Sequence, residues 1–181
     1  RARLSVLFDS KNRKLNIGLR RKNSQQIIPI DHCLVLEQPL NDLLPKLTAL
    51  FEQWTTPQQL GHIELVAADN GIAMLLRHIK NIDETDRTLL LQFAEQHQLM
   101  LFVQEHDSIE HWQGEQPFYR LDDDLTLQFD IRDFIQINAQ LNRQMIATAL
   151  DWLALNSQDH VLDLFCGMGN FTLPLSRKVK S

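Results

Sequence analysis

Residues 161–170, which read VLDLFCGMGN, combine a short apolar run with one carboxylate and two glycines. A strand of a parallel sheet is buried on both faces, so Asp163 needs a hydrogen-bond partner in the following loop or in a polar ligand. Gly167 and Gly169 permit positive φ angles and let the backbone approach a ligand closely. Asn170 precedes an expected helix, where it can cap the helix or contact a ligand. The stretch is typical of a strand-to-helix turn that forms a binding site.

Three interpretations of this loop stay open on the residues alone. A dinucleotide site needs the spacing G-x-G-x-x-G, but Thr172 occupies the third glycine position, and the loop lacks the lysine of a P-loop. S-adenosylmethionine carries no phosphate and needs a close backbone floor with polar groups for its amino-acid end. An acidic strand followed by C-G-M-G-N fits that ligand better. A tight turn without a ligand is the third interpretation, because a single glycine motif is weakly specific.

The elements around the loop are typical of the opening of an α/β domain with a parallel sheet. HVLDLF at 160–165 predicts a strand, and NFTLPL predicts the start of a helix. A preceding amphipathic helix is expected over 141–155, with Trp152 in the core. Its apolar face consists of Leu141, Met145, Ala149, Trp152 and Leu153.

Residues 1–133 predict an α+β domain with a mixed antiparallel sheet and two helices. The expected helices are 40–54, capped by Asn41 and with Trp54 in the core, and ETDRTLLLQFAEQHQ. WQGEQPFYRLDDD reads as a turn-rich connection. The boundary is placed near Phe134, so that a second, truncated domain covers 134–181. The expected strands are 2–8, 14–20, IIPI, HIELVAA and IAMLLRHI with a DNG hairpin between them, LMLFVQE, and LTLQFDI.

Charge is unevenly distributed along the chain. Residues 1–22 contain eight basic side chains and one acidic side chain, Asp9, which gives this segment a charge of +7. The formal net charge of −5 then leaves −12 on the remainder. A basic hairpin on an acidic body is suited to phosphate groups, but lysines and arginines also protect an open sheet edge from aggregation. Charge alone therefore leaves nucleic-acid binding as one of two interpretations.

Composition sets further limits. Two cysteines in 181 residues provide no disulfide framework, which favours a reducing, cytoplasmic compartment. No apolar run approaches the roughly 20 residues of a membrane span, so no membrane partner is expected. His106 and His111 have no further Cys or His at ligand spacing, which argues against a metal there. The chain is expected to be an internal piece of a longer protein. Its oligomeric state is open.

The stretch VLDLFCGMGNFTLPL, preceded by RDFIQINAQLNRQM, resembles the RNA uracil-5-methyltransferases. It most resembles the iron–sulfur-containing members of that family that act on 23S ribosomal RNA, and less the tRNA branch. RRKNSQQIIPIDHCLVL and LGHIELV resemble the central domain of the same enzymes, so the resemblance covers essentially the whole chain. It implies a central α+β domain followed by the truncated start of a class I, Rossmann-like methyltransferase domain.

The resemblance also implies roles for individual residues. Gln136, Phe165 and Asn170 match positions that contact S-adenosylmethionine, and Gly167 and Gly169 match the floor of that site. Phe134, at the domain junction, either faces the target base or is a core aromatic residue.

The two cysteines receive different interpretations. Cys33 matches the last of four cysteines that ligate a [4Fe–4S] cluster. The resemblance places the other three before Arg1, so no cluster is expected in this chain. Without the resemblance, Cys33 reads as a small core residue. Cys166 lies before a helix start, where a thiol can be activated. The resemblance places the nucleophile in a later Ser-Cys-Asn-Pro motif, so Cys166 is interpreted as structural.

The activity that the resemblance implies is methyl transfer from S-adenosylmethionine to C5 of a uridine in 23S ribosomal RNA, through a covalent cysteine–C6 adduct. Neither the cysteine nor the glutamate base matches a residue of this chain, so no catalytic residue is predicted and the chain alone is expected to be inactive. Three alternatives remain: a tRNA uracil-5-methyltransferase, an RNA-binding module that uses the basic hairpin, and methylation of a protein or small molecule. Cys33 and F-I-Q-I-N argue against the last.

Overall fold

The computed structural model describes residues 1–136 and 138–180, which form two compact units, Arg1–Pro117 and Phe118–Ser181. Ile137 of the F-I-Q-I-N stretch and Ser181 lie outside the described residues. The domain boundary near Phe134 stays a prediction. No helix among the described residues has the length and hydropathy to cross a membrane.

The first unit is built on a seven-stranded mixed sheet, which confirms the predicted sheet type. The sequence predicts six of its strands and misses the one at Ser108–Gln113, and the strand predicted at LTLQFDI pairs in a separate two-stranded sheet. The strand order of the seven-stranded sheet is β3-β2-β1-β4-β5-β6-β7, and all neighbours are antiparallel except β5 and β6, which are parallel. The strands are β1 (Ala2–Asp9), β2 (Lys14–Arg20), β3 (Ile27–Pro29), β4 (Leu60–Ala68), β5 (Gly71–His78), β6 (Leu99–Glu105) and β7 (Ser108–Gln113). The DNG sequence forms the tight turn between β4 and β5, as predicted.

The single helix predicted over 40–54 is two helices, α1 (Gln38–Asn41) and α2 (Leu44–Phe51). The break precedes Pro45, whose nitrogen carries no hydrogen and cannot donate to the carbonyl of Asn41 in a continuous helix. The prediction that Asn41 caps the helix is wrong. Its buried amide accepts from Cys33 N at 2.8 Å and donates to the carbonyls of Cys33 and Leu36 at 3.1 and 3.0 Å.

Helices α2 and α3 (Glu84–Gln96) supply side chains to the main core. Trp54 is 4% exposed, which confirms its predicted core position. Asp83 caps α3 by accepting from Asp86 N at 2.8 Å. Asp86 is itself fully buried and accepts from Thr55 N at 2.9 Å and Thr55 Oγ1 at 2.7 Å. The buried carboxylate therefore ties the start of α3 to the segment that follows α2.

The second unit contains the hairpin β8 (Phe118–Asp122) and β9 (Leu125–Gln128), and the helices α4 (Ala139–Leu153) and α5 (Thr172–Ser176). The prediction that WQGEQPFYRLDDD is a turn-rich connection is wrong, because β7 ends inside it and β8 occupies its second half. Leu121, Leu127 and Ile146 form a small buried cluster in this unit. Phe129, Ile131, Ile135 and Leu175 are buried as well.

No strand is present at 160–165, where the sequence predicts one. Leu162 and Leu164 are 80% and 68% exposed. A strand needs a neighbour for its backbone N–H and C=O groups. Among the described residues of this unit, β8 and β9 pair with each other. The structure therefore confirms a mixed sheet with helices but not the start of a Rossmann-like domain.

Helix α4 forms as predicted, but its predicted apolar face is exposed. The exposed members are Leu141, Met145, Trp152 and Leu153. Ile146, on another side of the helix, is the buried residue. The core position predicted for Trp152 is wrong, since its side chain is 83% exposed. The apolar pattern identifies a surface that favours burial, but these four side chains are exposed in this structure.

Three basic side chains surround the carboxylate of Glu64 in β4. Its carboxylate pairs with the guanidinium of Arg1, and it lies 3.4 Å from His62 Nε2 and 3.8 Å from Arg3 Nε. The hydrogen bond from His62, followed by the interactions with Arg1, lowers the pKa of Glu64 to about 2. The folded state therefore stabilises the charged carboxylate.

We expect Glu64→Gln to lower the free energy of unfolding at pH 7 by about 2–3 kcal/mol, since one pKa unit corresponds to about 1.4 kcal/mol. The difference should be present above about pH 4.5, where the unfolded glutamate is charged, and should disappear as the pH falls towards 2. Urea unfolding between pH 7 and pH 2.5 measures it. Glu95→Gln, at an exposed position of α3, serves as control and should change stability by about 0.5 kcal/mol or less. A pH-independent effect of Glu64→Gln would contradict the pairing.

Candidate functional site

The glycine loop, residues 165–170, is a tight turn that leads into α5. Phe165, Gly167 and Gly169 have positive φ angles of 63°, 56° and 90°. Gly169 N donates to Cys166 O at 3.0 Å, and Leu173 N donates to Gly169 O at 3.0 Å. Three left-handed residues within five positions fold the chain back on itself, which is the geometry that glycine favours.

The two glycines have different surroundings. A Cβ at Gly169 would lie 3.3 Å from Leu173 Cγ, and the φ angle of 90° is one that other residues rarely adopt, so the turn favours glycine there. A Cβ at Gly167 would have nothing within 4 Å. The φ angle at Gly167 is one that other residues adopt at a cost of about 1–2 kcal/mol. The open space beside Gly167 is compatible with close approach of another molecule to the backbone.

Asp163 is hydrogen-bonded to the first residue of α5. Its Oδ2 accepts from the hydroxyl of Thr172 at 2.6 Å, and the carboxyl group is half-buried. The sequence predicts a partner in the loop or in a polar ligand, and it indicates Thr172 only as the residue at the third glycine position of a dinucleotide motif. Thr172, which replaces the third glycine of a dinucleotide motif, therefore links the segment before the loop to the start of α5.

A reciprocal pair of amides joins the loop to α4. Asn142 Nδ2 donates to Asn170 Oδ1 at 2.8 Å, and Asn170 Nδ2 donates to Asn142 Oδ1 at 2.9 Å. The expectation that Asn170 caps the next helix is wrong, because α5 begins at Thr172 and Phe171 is its N-cap. Sequence reasoning missed Asn142. The signal that could have identified Asn142 is its position one helical turn after Asn138. Asn138 caps α4 by accepting from Leu141 N at 2.9 Å.

The remaining predicted residues lie at the surface. Gln136 is exposed in the segment before α4, and Phe165 is fully exposed at the tip of the loop. Phe134 is 79% exposed, so it is not a core residue. Cys166 is exposed, and its Sγ lies 3.7 Å from Gly167 O. The structure places Phe165, Gly167, Gly169 and Asn170 in one turn, and Gln136 precedes the helix to which that turn is bonded.

Cys33 lies in the first unit on a loop whose backbone is held by Asn41. The thiol is half-buried and free, and the next two side chains, Leu34 and Val35, are 93% and 85% exposed. Within residues 1–136 and 138–180, no three His, Cys, Asp or Glu side chains are close enough to hold a metal ion. The described residues thus contain two cysteines, Cys33 and Cys166, and do not by themselves hold a four-cysteine cluster. The role of Cys33 as a cluster ligand stays a prediction.

A separate pocket of about 710 Å³ lies beside α4 and the β8–β9 hairpin. Arg143, Asp123 and Arg177 are among the side chains that line it, and none of the predicted cofactor residues does. Arg177 also pairs with Asp124, and this hydrogen bond lowers the pKa of that carboxyl group. The predicted site residues are therefore in the glycine loop and not in this pocket.

The sequence profile of the tRNA (uracil-5-)-methyltransferases matches residues 1–181. The chain belongs to this family. The 23S rRNA (uracil(1939)-C(5))-methyltransferase RlmD of Mannheimia succiniciproducens is 62% identical to this chain over 181 residues, which are all of this chain and 41% of the relative. The protein of the same name from Photobacterium profundum is 48% identical, over 99% of this chain and 38% of its own. The chain thus spans about two fifths of these relatives.

A solved structure of the same family shares the fold. The Pyrococcus abyssi tRNA (uracil-54, C5)-methyltransferase, in complex with S-adenosyl-L-homocysteine, superposes with a TM-score of 0.72. The alignment covers 98% of this chain and 46% of that chain at 18% identity. The α+β arrangement of sheet and helices is therefore shared with that protein.

We expect the amide pair to couple α4 and the loop energetically. Asn142→Ala and Asn170→Ala should each lower the free energy of unfolding by about 1–2 kcal/mol, because each leaves a half-buried amide without its partner. The double variant should lose less than the sum, by about 0.5–1 kcal/mol. Urea unfolding of all four proteins measures the coupling. Asn142→Ala combined with Asn156→Ala, whose amide bonds Gln158 N, should be additive. Additivity in the Asn142–Asn170 cycle would contradict the pairing.

Proposed function

We propose that this chain is part of an enzyme that transfers a methyl group from S-adenosylmethionine to C5 of a uridine in 23S ribosomal RNA. The observation that carries the proposal is 48–62% identity, across essentially the whole chain, to proteins named for that reaction. Identity of this degree extends through both units, so it covers the central sheet and the glycine loop together. We further propose that the protein works in the cytoplasm, in agreement with its two free thiols.

The glycine loop is the proposed binding site for S-adenosylmethionine. Support comes from the P. abyssi structure, which holds the product form of that cofactor, and from the open space beside Gly167. We assign Gly167 and Gly169 to the floor of the site. Gln136, Phe165 and Asn170 are assigned to contacts with the cofactor, which supplies the methyl group as a sulfonium electrophile.

Residues 134–181 are proposed to be the start of a class I, Rossmann-like domain that follows a central domain at 1–133. The exposed apolar side chains Leu162, Leu164 and Trp152 support this, because large exposed apolar surfaces favour burial against further structure. In the whole protein we expect 160–165 to become a strand when neighbouring strands pair with it.

The proposed chemistry needs two groups that we assign to no residue of this chain. C5 of uracil is a weak nucleophile, and addition of a cysteine thiolate to C6 raises its electron density so that it can take the methyl group. A base then removes the C5 proton and the thiolate leaves. We assign neither role to Cys166, and we expect residues 1–181 alone to be inactive. Cys33 is proposed as one of four thiolate ligands of a [4Fe–4S] cluster in the whole protein.

A second candidate function is methylation of a uridine in tRNA. The family profile is named for tRNA, and the P. abyssi protein is a tRNA enzyme. Its identity to this chain is 18%, against 48–62% for the ribosomal RNA enzymes, so the ribosomal substrate is favoured.

Gly167→Ala in the full-length protein tests the proposed cofactor site. We expect affinity for S-adenosylmethionine to fall at least tenfold, because the new methyl group enters the open space beside the backbone. Stability should fall by only about 1–2 kcal/mol. Calorimetric titration measures the first quantity and urea unfolding the second. Unchanged affinity would remove Gly167 from the site.

Cys166→Ser, one position away, is the matched control. Cofactor affinity and methyl transfer from labelled S-adenosylmethionine should stay within about threefold of the unaltered protein. Loss of transfer with intact cofactor affinity would identify Cys166 as a nucleophile and contradict its structural interpretation. Unmodified 23S ribosomal RNA and tRNA transcripts, offered as separate acceptors in this assay, distinguish the two candidate functions.

A further inference from the structure

Basic side chains without ion pairs are concentrated in one part of the first unit. Six exposed cations lie within residues 11–22, and in the described part of the chain none is within 4.0 Å of a carboxylate oxygen. They are Lys11, Arg13, Lys14, Arg20, Arg21 and Lys22. By contrast, Arg3, Arg132 and Arg177 all pair with carboxylates. The charge of this hairpin is therefore available to an external anion.

The one acidic residue of the hairpin is engaged by the turn. Asp9 lies opposite Lys14 in the strand pairing, but its carboxylate accepts from Lys11 N at 3.0 Å, Asn12 N at 3.2 Å and Asn12 Nδ2 at 2.7 Å. The amide of Asn12 is the main cause of the lowered pKa of Asp9. The carboxylate thus shapes the turn between β1 and β2 and forms no ion pair with the lysine opposite.

Strand geometry arranges the cations in a row. Leu15 and Ile17 of β2 are buried in the core, so Lys14 and Arg20 lie on the opposite face. These two residues are about 20 Å apart at the usual rise of about 3.3 Å per residue. Arg13 extends the row into the first turn, and Lys22 extends it into the turn that precedes β3. The row is long enough to follow several consecutive phosphates.

A shallow groove borders this row. Its volume is about 600 Å³, and it is lined by Lys11 and Lys14 together with the apolar side chains of Leu7 and Ile27. Basic groups beside an apolar floor suit a nucleic-acid strand, which places phosphates on the cations and sugar or base surface on the floor.

We propose that the six unpaired cations of the basic hairpin, at residues 11–22, bind phosphates of the RNA substrate and so help to hold it on the enzyme. This rests on the proposed function, because it takes the partner to be the RNA that is methylated. The hairpin is a binding surface and has no part in the chemical steps. It should therefore contribute to RNA affinity and to KM and leave kcat unchanged.

The test is Lys14→Gln/Arg20→Gln in the full-length protein, with Lys46→Gln/Arg77→Gln as matched control. Both double variants remove one lysine and one arginine from exposed positions. Affinity for a 23S ribosomal RNA fragment is measured by filter binding between 50 and 500 mM KCl. For the hairpin variant we expect the slope of log K against log [KCl] to become shallower by about 1.4–1.8, with affinity about tenfold weaker at 100 mM.

Three further readouts separate the outcomes. Affinity for S-adenosylmethionine should be unchanged in both variants, KM for RNA should rise in the hairpin variant alone, and kcat should be constant. In one outcome the unaltered protein methylates the RNA, and both variants keep the same dependence of RNA affinity on KCl. The hairpin is then a solvated sheet edge, which overturns this proposal and leaves the proposed function intact. If the unaltered protein neither binds nor methylates the RNA, the proposed function fails, and the hairpin proposal fails with it.

Discussion

The reciprocal hydrogen bonds between Asn142 and Asn170 join the glycine loop to α4, and the rest of the candidate site depends on them. They connect two segments that lie 28 positions apart in the sequence. The hydrogen bond from the Thr172 hydroxyl to Asp163 joins the two segments that flank the loop. With both contacts in place, the backbone at Gly167 faces open space, which is what a cofactor floor requires.

The sequence predicts well those elements whose signals are local. Examples are the DNG turn between β4 and β5, strands β1 and β2, and helix α3, which all form as predicted. A strand at 160–165 depends on partners that are distant in sequence, and it is absent. The apolar face of α4 is correctly recognised as apolar, but periodicity does not reveal whether a partner surface covers it.

The same limit applies to the candidate site. The local sequence identifies the loop, because the positive φ angles of Gly167 and Gly169 depend on the residue type at each position. The sequence does not reveal that Asn170 bonds Asn142 across 28 positions, or that Thr172 bonds Asp163. It also misplaces Asn41 as a helix cap, because its actual partners, Cys33 and Leu36, belong to a loop without periodicity. Side-chain pairs of this kind form only when the tertiary structure brings two segments together.

The central claim, methylation at C5 of a uridine in 23S ribosomal RNA, is tested most directly by release of the C5 hydrogen. The full-length protein is incubated with S-adenosylmethionine and 23S ribosomal RNA that carries tritium at C5 of its uridines. We expect tritium release that requires S-adenosylmethionine and equals the number of methyl groups transferred, with 5-methyluridine in the digested product. Methyl transfer without release of tritium would place the methyl group elsewhere on the RNA and rule out the proposed function.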